Sequence, residues 1–196
     1  MSNIIEVKNL VKKYDTLTAV DGISFEVKEG EIFGLLGPNG AGKTTTLEIM
    51  ETLREKTSGD ITICGFSLDK SPNEIQSVIG VQLQSAGYYP NLTLIELLNL
   101  FAGLYNVDVN TMEMLDLVDL REKAKAKFKE LSGGQKQRFS IATTLINSPK
   151  VIFLDEPTTG LDPQARRNLW DLVTNIKNKG TTVLLTTHYM DEAEVL

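Results

Sequence analysis

The stretch Ile32-Phe33-Gly34-Leu35-Leu36-Gly37-Pro38-Asn39-Gly40-Ala41-Gly42-Lys43-Thr44-Thr45 decides the fold. Its first five residues are a short apolar run bounded by glycine-rich sequence, which reads as a buried strand, and Thr45 to Leu53 reads as a helix. Between them Gly37 to Thr44 is glycine, four residues, then Gly-Lys-Thr, the spacing of a phosphate-binding loop. In a strand-loop-helix setting, consecutive backbone N–H groups converge on phosphate at a helix N-terminus. Lys43 brings a point charge for the β- and γ-phosphates, and the Thr44 hydroxyl can ligate Mg²⁺. A glycine-rich turn without this chemistry has no need of the full spacing, so the chain is read as binding a nucleoside triphosphate.

A phosphate loop needs an acidic partner, and the sequence offers one at Val151-Ile152-Phe153-Leu154-Asp155-Glu156. Four apolar residues deliver two acids to the C-terminal end of a strand, where open α/β sheets bind ligands. Asp155 is placed to support Mg²⁺ and Glu156 to polarise an attacking water, although acids at that point also serve as helix N-caps. Strand texture recurs at Ile5 and Val7, at Phe25 and Val27, and at Thr182 to Thr187, each alternating or apolar over a short run. Between Thr93 and Ile146 the period changes to a helical one, with Leu94, Leu97, Leu98, Phe101 and Leu104 on one stripe and Thr93 with Glu96 as a capping box. Ser132 and Gln135 form a second capping box in Leu131-Ser132-Gly133-Gly134-Gln135, opening a helix expected to run to Asn147. A capped start with exposed N–H groups is also an anion site, so a second phosphate contact is physically available there. The expected class is therefore α/β: a phosphate-loop core sheet, an N-terminal antiparallel β subdomain and an inserted helical subdomain.

Composition narrows the function. The 196 residues suit one domain, and 20 Lys and Arg against 26 Asp and Glu give a net charge of −6, the wrong sign for broad contact with nucleic acid. One cysteine and one histidine forbid an internal disulfide and the familiar zinc clusters, and point to a reducing compartment. No stretch reaches the roughly 20 apolar residues of a membrane span, because Glu96 and Asn99 interrupt the run from Leu92 to Val107. The first ten residues lack the apolar region of a signal peptide. The alternation Lys123, Lys125, Lys127, Lys129 reads as a solvated face.

The ordered set GPNGAGKT, LSGGQ, VIFLDEP and a late His188 resembles the nucleotide-binding subunit of ABC transporters, with the pentapeptide Leu131-Ser132-Gly133-Gly134-Gln135 as the discriminating element. The resemblance runs from Tyr14 to Glu194. It implies that Tyr14 stacks on adenine, and that Gly37, Pro38, Asn39, Gly40, Ala41, Gly42, Lys43, Thr44 and Thr45 bind ATP. It implies Mg²⁺ held by Thr44, Gln84 and Asp155, with Glu156 as general base, His188 at the γ-phosphate, and Gln84 linking metal and water to the helical subdomain. Of Gln82 and Gln84, the second falls in the family's column. Asp162 matches an acid that crosses a dimer interface, and Leu131 to Gln135 would close over the ATP of a second, head-to-tail copy. The implied division is a core at residues 1–84 and 148–196 with a helical signature subdomain at 85–147. The implied place is the cytoplasmic face of a cell membrane, bound to a membrane-spanning subunit, with no nucleic-acid partner.

Within the family, Gln82-Leu83-Gln84, Phe101 to Tyr105 and Thr187 to Glu194 look most like ATPase subunits of drug-type exporters. The segment Ser85 to Pro90, with Tyr88 and Tyr89, is expected to touch the membrane subunit, because aromatics are enriched in interface cores. The chain stops at Leu196 within an apparent helix opened by Asp191 and Glu192, so it reads as a C-terminally truncated cassette. The alternative is an ABC-type ATPase acting on ribosomes or chromosomes. From Lys43 to Ser132 is 132 minus 43, or 89 positions, which leaves no room for the coiled coil of chromosome-type members. A regulator with a dead site would be expected to lose Glu156 or His188, and Asn178-Lys179-Gly180-Thr181 lacks the aspartate of guanine-reading proteins.

Overall fold

Alternation along two neighbouring strands explains how the layers assemble. In β7 (Val151–Asp155), Val151 and Phe153 face one hydrophobic cluster while Ile152 and Leu154 face the other, and β8 (Thr182–Thr187) divides in the same way with Leu184 against Val183 and Leu185. A strand buried on both faces must be covered on both. The computed structural model describes residues 2–82 and 87–189.

The two covered strands belong to a parallel sheet in the order β3-β8-β7-β6, with β3 at Ile32–Leu36 and β6 at Ile79–Gln82. One face packs against α1 (Lys43–Met50), α2 (Pro72–Val78) and an antiparallel sheet. That second sheet has the order β2-β1-β4-β5, built from β1 (Asn3–Tyr14), β2 (Leu17–Lys28), β4 (Ser58–Ile63) and β5 (Phe66–Ser67). The other face packs against α3 (Leu94–Tyr105), α4 (Thr111–Leu117), α5 (Gly133–Thr144) and α6 (Pro163–Asn178). At burial of about 25 cal/mol per Å² of apolar surface, these two clusters supply the main drive for folding.

The helix signals read from sequence act at the expected places. Thr93 and Ser132 each form the full capping box, and Asp162 accepts hydrogen bonds from the N–H groups of Gln164 and Ala165 at the start of α6. Local chemistry of this kind needs no distant partner. Lys123, Lys125, Lys127 and Lys129 are all exposed.

Several expectations are corrected. The run Ile32–Leu36 forms a strand, but not a buried one: its residues are half-buried or exposed, with Leu36 45% exposed, because among the described strands β3 pairs only with β8 and stands at the sheet edge. The helix read over Thr45 to Leu53 begins at Lys43 and ends at Met50, and the one opened by Ser132 stops at Thr144, short of Asn147. The apolar stripe of α3 ends a turn early. Leu94, Leu97, Leu98 and Ala102 are buried while Leu104 is 73% exposed. Tyr88 and Tyr89 separate: Tyr89 is 64% exposed, but the Tyr88 ring lies 4.6 Å from that of Phe128 and 5.5 Å from that of Phe139. Its hydroxyl also reaches Ser140 Oγ at 3.1 Å and Thr143 Oγ1 at 2.8 Å, so this tyrosine serves the interior. The helix expected at Asp191 and Glu192, and the residues Ser85 and Ala86, lie outside the described residues.

Candidate nucleotide site at the strand ends

Strand order brings the candidate residues together. Because β8 lies between β3 and β7, the loop after β3, the acids ending β7 and the histidine following β8 meet at one end of the parallel sheet. The seam is closed by Gly37 N–H donating to the carbonyl of Thr187 at 3.3 Å. This is the carboxyl end of the strands, where such sheets bind their ligands.

Gly37 to Gly42 then turn into α1 through a residue that must be glycine. Gly42 has φ 85, and a Cβ there would stand 2.2 Å from the carbonyl oxygen of Ala19 in β2. Both the left-handed backbone and the close approach exclude a side chain. With that turn made, Lys43 is 9% exposed and its ammonium donates to the carbonyls of Gly37 at 2.8 Å and Pro38 at 3.1 Å. The same ammonium lies 3.6 Å from Glu156 Oε1.

Thr44 faces the other acid. Its hydroxyl lies 3.0 Å from Asp155 Oδ2 and 3.3 Å from Oδ1, so a hydroxyl and a carboxylate converge from the loop and from β7. Oxygen donors of this kind suit a hard cation such as Mg²⁺, which takes one or two protein ligands and leaves its remaining positions to phosphate and water. Among the described residues no cluster of three or more His, Cys, Asp or Glu stands ready to hold a metal by itself.

Glu156 is held in an unusual backbone state, with φ 47. Thr186 accounts for it: its hydroxyl accepts from Glu156 N–H at 2.9 Å and donates to Asp155 Oδ1, tying the two acids to β8. On the side chain, Thr159 Oγ1 donates to Glu156 Oε2 at 3.1 Å. His188 Nδ1 stands 3.4 Å from the same oxygen, off line for a hydrogen bond and with no other hydrogen-bond partner among the described residues. A left-handed glutamate is a strained state that surrounding contacts must fix. Here it aims one carboxylate at both Lys43 and His188.

Tyr14, at the end of β1, joins the loop residues in lining a cleft of about 440 Å³ that also includes Leu17, Asn39, Gly40, Lys43, Thr44, Thr45 and Glu156. Ser132, Gly133, Gly134 and Gln135 line a different cleft of about 500 Å³ with Asp162 and Arg138. Gly134 lies so close to α6 that a Cβ would stand 3.1 Å from that of Ala165, which draws the signature segment and the Asp162 turn together. Leu131 is 6% exposed and anchors the segment in the helical cluster. Thus Tyr14, the phosphate loop and Glu156 share one cleft, while the signature residues and Asp162 share another. A hollow of about 610 Å³ lined by Arg54, Lys56 and Asp69 is larger than either, but it contains none of the phosphate-loop residues.

The family description ABC transporter matches residues 20–159 of the chain, a span that holds the phosphate loop, the signature segment and both acids. The chain belongs to the ABC transporter family. Its cassette is similar to Nod factor export ATP-binding protein I of Burkholderia pseudomallei, 43% identical over 197 residues that cover 98% of this chain and 65% of that protein. The protein of the same description from Ralstonia nicotianae is 41% identical over 198 residues, covering 98% of this chain and 62% of its own length. The cassette thus spans just under two thirds of the curated relatives it matches. Among solved structures it resembles an ATP-binding cassette of an ABC transporter in its ADP conformation, with TM-score 0.85, 25% identity and coverage of 98% of this chain and 84% of the other. A Clostridium perfringens protein described as part of an ABC transporter complex gives TM-score 0.86 at 28% identity, covering 97% and 80%.

Sequence reasoning missed several residues of the site. Thr186 is the clearest, and its signal was present: a threonine pair closing an apolar strand just before His188 places hydroxyls among the acids. Glu51, at the C-terminal end of α1, is 4% exposed, its Oε1 has no hydrogen-bond partner among the described residues, and its carboxyl is pushed up to about 8, first by burial and then by the charges of Asp155 and Glu48. Nothing in the local sequence marks it as buried. Gln84 lies outside the described residues, while Gln82 is 4% exposed and its Oε1 has no hydrogen-bond partner among the described residues.

Proposed function

We propose that this chain binds ATP with Mg²⁺ and hydrolyses it as the nucleotide-binding subunit of an exporter. The observation that carries the reading is the meeting of Lys43, Thr44, Asp155, Glu156 and His188 from three adjacent strand ends, with Lys43 3.6 Å from Glu156. The ammonium of Lys43, held against the loop carbonyls, is placed to transfer its hydrogen bonds to phosphate oxygens. That transfer would release Glu156, fixed through Thr186 and Thr159, to accept a proton from water at its carboxylate. His188 would hold the water or the terminal phosphate beside it. Thr44 and Asp155 would hold the metal. Mg²⁺, when bound, would neutralise charge on the β- and γ-phosphates. Gln84 would reach the same metal, a role that rests on the family resemblance.

Two clefts support a head-to-tail pair. In one copy Lys43 and Ser132 line two different clefts among the described residues, so a nucleotide touching both would take the second from a partner copy, with Asp162 at the junction. Residues 85–147 would form the helical subdomain and the remainder the core. The names of the curated relatives describe export, which supports a membrane-spanning partner and a station at the inner membrane face. Among the described residues no helix is long and apolar enough to cross a membrane.

The test is Glu156→Gln, which keeps the shape and removes the base. ATP binding should persist while turnover falls roughly 10²- to 10⁴-fold. Turnover near that of the native chain would remove Glu156 from the reaction.

A further inference from the structure

The chain leaves α1 through two hydrogen bonds, Leu53 N–H to the carbonyl of Glu48 at 2.9 Å and Thr52 N–H to that of Ile49 at 3.1 Å. This is the Schellman ending, whose left-handed position usually holds glycine. Here it holds Thr52 at φ 63, an unfavourable conformation for a β-branched residue. Gln76 Nε2 donates to the Thr52 hydroxyl at 2.6 Å and helps to fix the turn. The turn places Arg54 back over the helix, with its N–H 3.1 Å from the Glu48 carbonyl and its Nε donating to Glu48 Oε2 at 2.6 Å.

From that position Arg54 Nη1 donates to the hydroxyl of Tyr14 at 2.6 Å, and the guanidinium carbon stands 5.7 Å from the centre of its ring. Lys12 Nζ stands 4.8 Å from the same centre, so two cations face one aromatic ring. Tyr14 ends β1 beside an exposed two-residue turn, where a ring without a tether would be free to change rotamer. The path Tyr14 to Arg54 to Glu48 ties it to the same helix whose first turn carries Lys43 and Thr44. Two side-chain hydrogen bonds thus link the ring to the helix that carries Lys43 and Thr44.

We propose that Arg54, held by Glu48, is a positioning residue that fixes the Tyr14 ring at the mouth of the phosphate-loop cleft and so sets affinity for the nucleobase separately from affinity for the triphosphate. The proposal rests on Tyr14 being the base platform. A platform fixed before binding avoids the entropy lost in ordering a side chain, an advantage of about two- to tenfold in affinity.

The experiment is calorimetric titration of the chain, in EDTA to prevent turnover, with ATP and with inorganic tripolyphosphate. Arg54→Ala should weaken ATP binding about two- to tenfold and leave tripolyphosphate binding unchanged. Tyr14→Phe keeps the ring but loses the hydroxyl. It should match Arg54→Ala, and the double variant should be no weaker than either alone. Unchanged ATP affinity in Arg54→Ala, an equal loss for both ligands, or additive losses in the double variant would each overturn the proposal. Tyr14→Ala separates the two ideas. If it discriminates ATP from tripolyphosphate while Arg54→Ala does not, the platform stands and only the role of Arg54 falls. If it fails to discriminate, platform and proposal fall together.

Discussion

Replacing Glu51 by glutamine should reshape the pH dependence of stability. The side chain is 4% exposed, one of its oxygens has no hydrogen-bond partner among the described residues, and its carboxyl moves from an ordinary value of 4.5 to about 8 through burial and the charges of Asp155 and Glu48. Between those two values the folded chain holds a proton that the unfolded chain has released. Stability must therefore fall as pH rises from about 4.5 toward about 8, with the favourable state complete below the lower value and lost through the upper one. At about 1.4 kcal/mol per tenfold, that gap bounds the penalty near 5 kcal/mol, and local relaxation with water entry brings the expected effect to about 2 to 3 kcal/mol. Glutamine has similar shape and no charge to release. Urea unfolding of both chains at pH 5, 6, 7 and 8 in EDTA provides the assay, since other titrating groups cancel in the difference. The two chains should agree within about 1 kcal/mol at pH 5, and Glu51→Gln should be more stable by about 2 to 3 kcal/mol at pH 8. A difference that stays flat across this range would refute a buried, proton-holding Glu51.

Lys43→Ala removes the ammonium that now bridges the loop carbonyls and Glu156, so tripolyphosphate affinity measured by calorimetry should fall about ten- to a hundredfold, the value of one charged hydrogen-bonding group. Tyr88→Phe should cost about 1 to 2 kcal/mol in urea unfolding, because Ser140 lies buried at its hydroxyl; no loss would show that this hydroxyl is not structurally engaged. Serine in place of Tyr88 would damage the aromatic cluster, so Tyr89→Ser is the clean probe of a membrane-subunit contact: it should leave the unfolding curve unchanged and lower transport.

What the sequence determined by itself was local. The phosphate loop is legible from Gly37 to Thr44 because glycine spacing, lysine and hydroxyl act within one turn, and the same holds for the capping residues Thr93, Ser132 and Asp162, whose partners lie two or three positions away. Short apolar strand-like runs at Val151 to Leu154 and at Thr182 to Thr187 identified two strands but not their neighbours, and only strand order placed β8 between the loop and the acids. The same limit explains Ile32–Leu36: apolar composition marks a strand, whereas burial depends on how many strands flank it. Tyr88 was read for its residue type, but its position depends on rings from Phe101, Phe128 and Phe139, contributed by distant parts of the chain. Tyr14 and Arg54 are 40 positions apart, and no pattern in either stretch announces the hydrogen bond between them. Glu51 and Thr186 are likewise ordinary residues until tertiary contacts remove water from one and set the other between two acids. Local hydrogen bonding fixed the motifs, and long-range burial decided which side chains meet, because a desolvated charge or a bridging hydroxyl exists only once separate segments have closed around it.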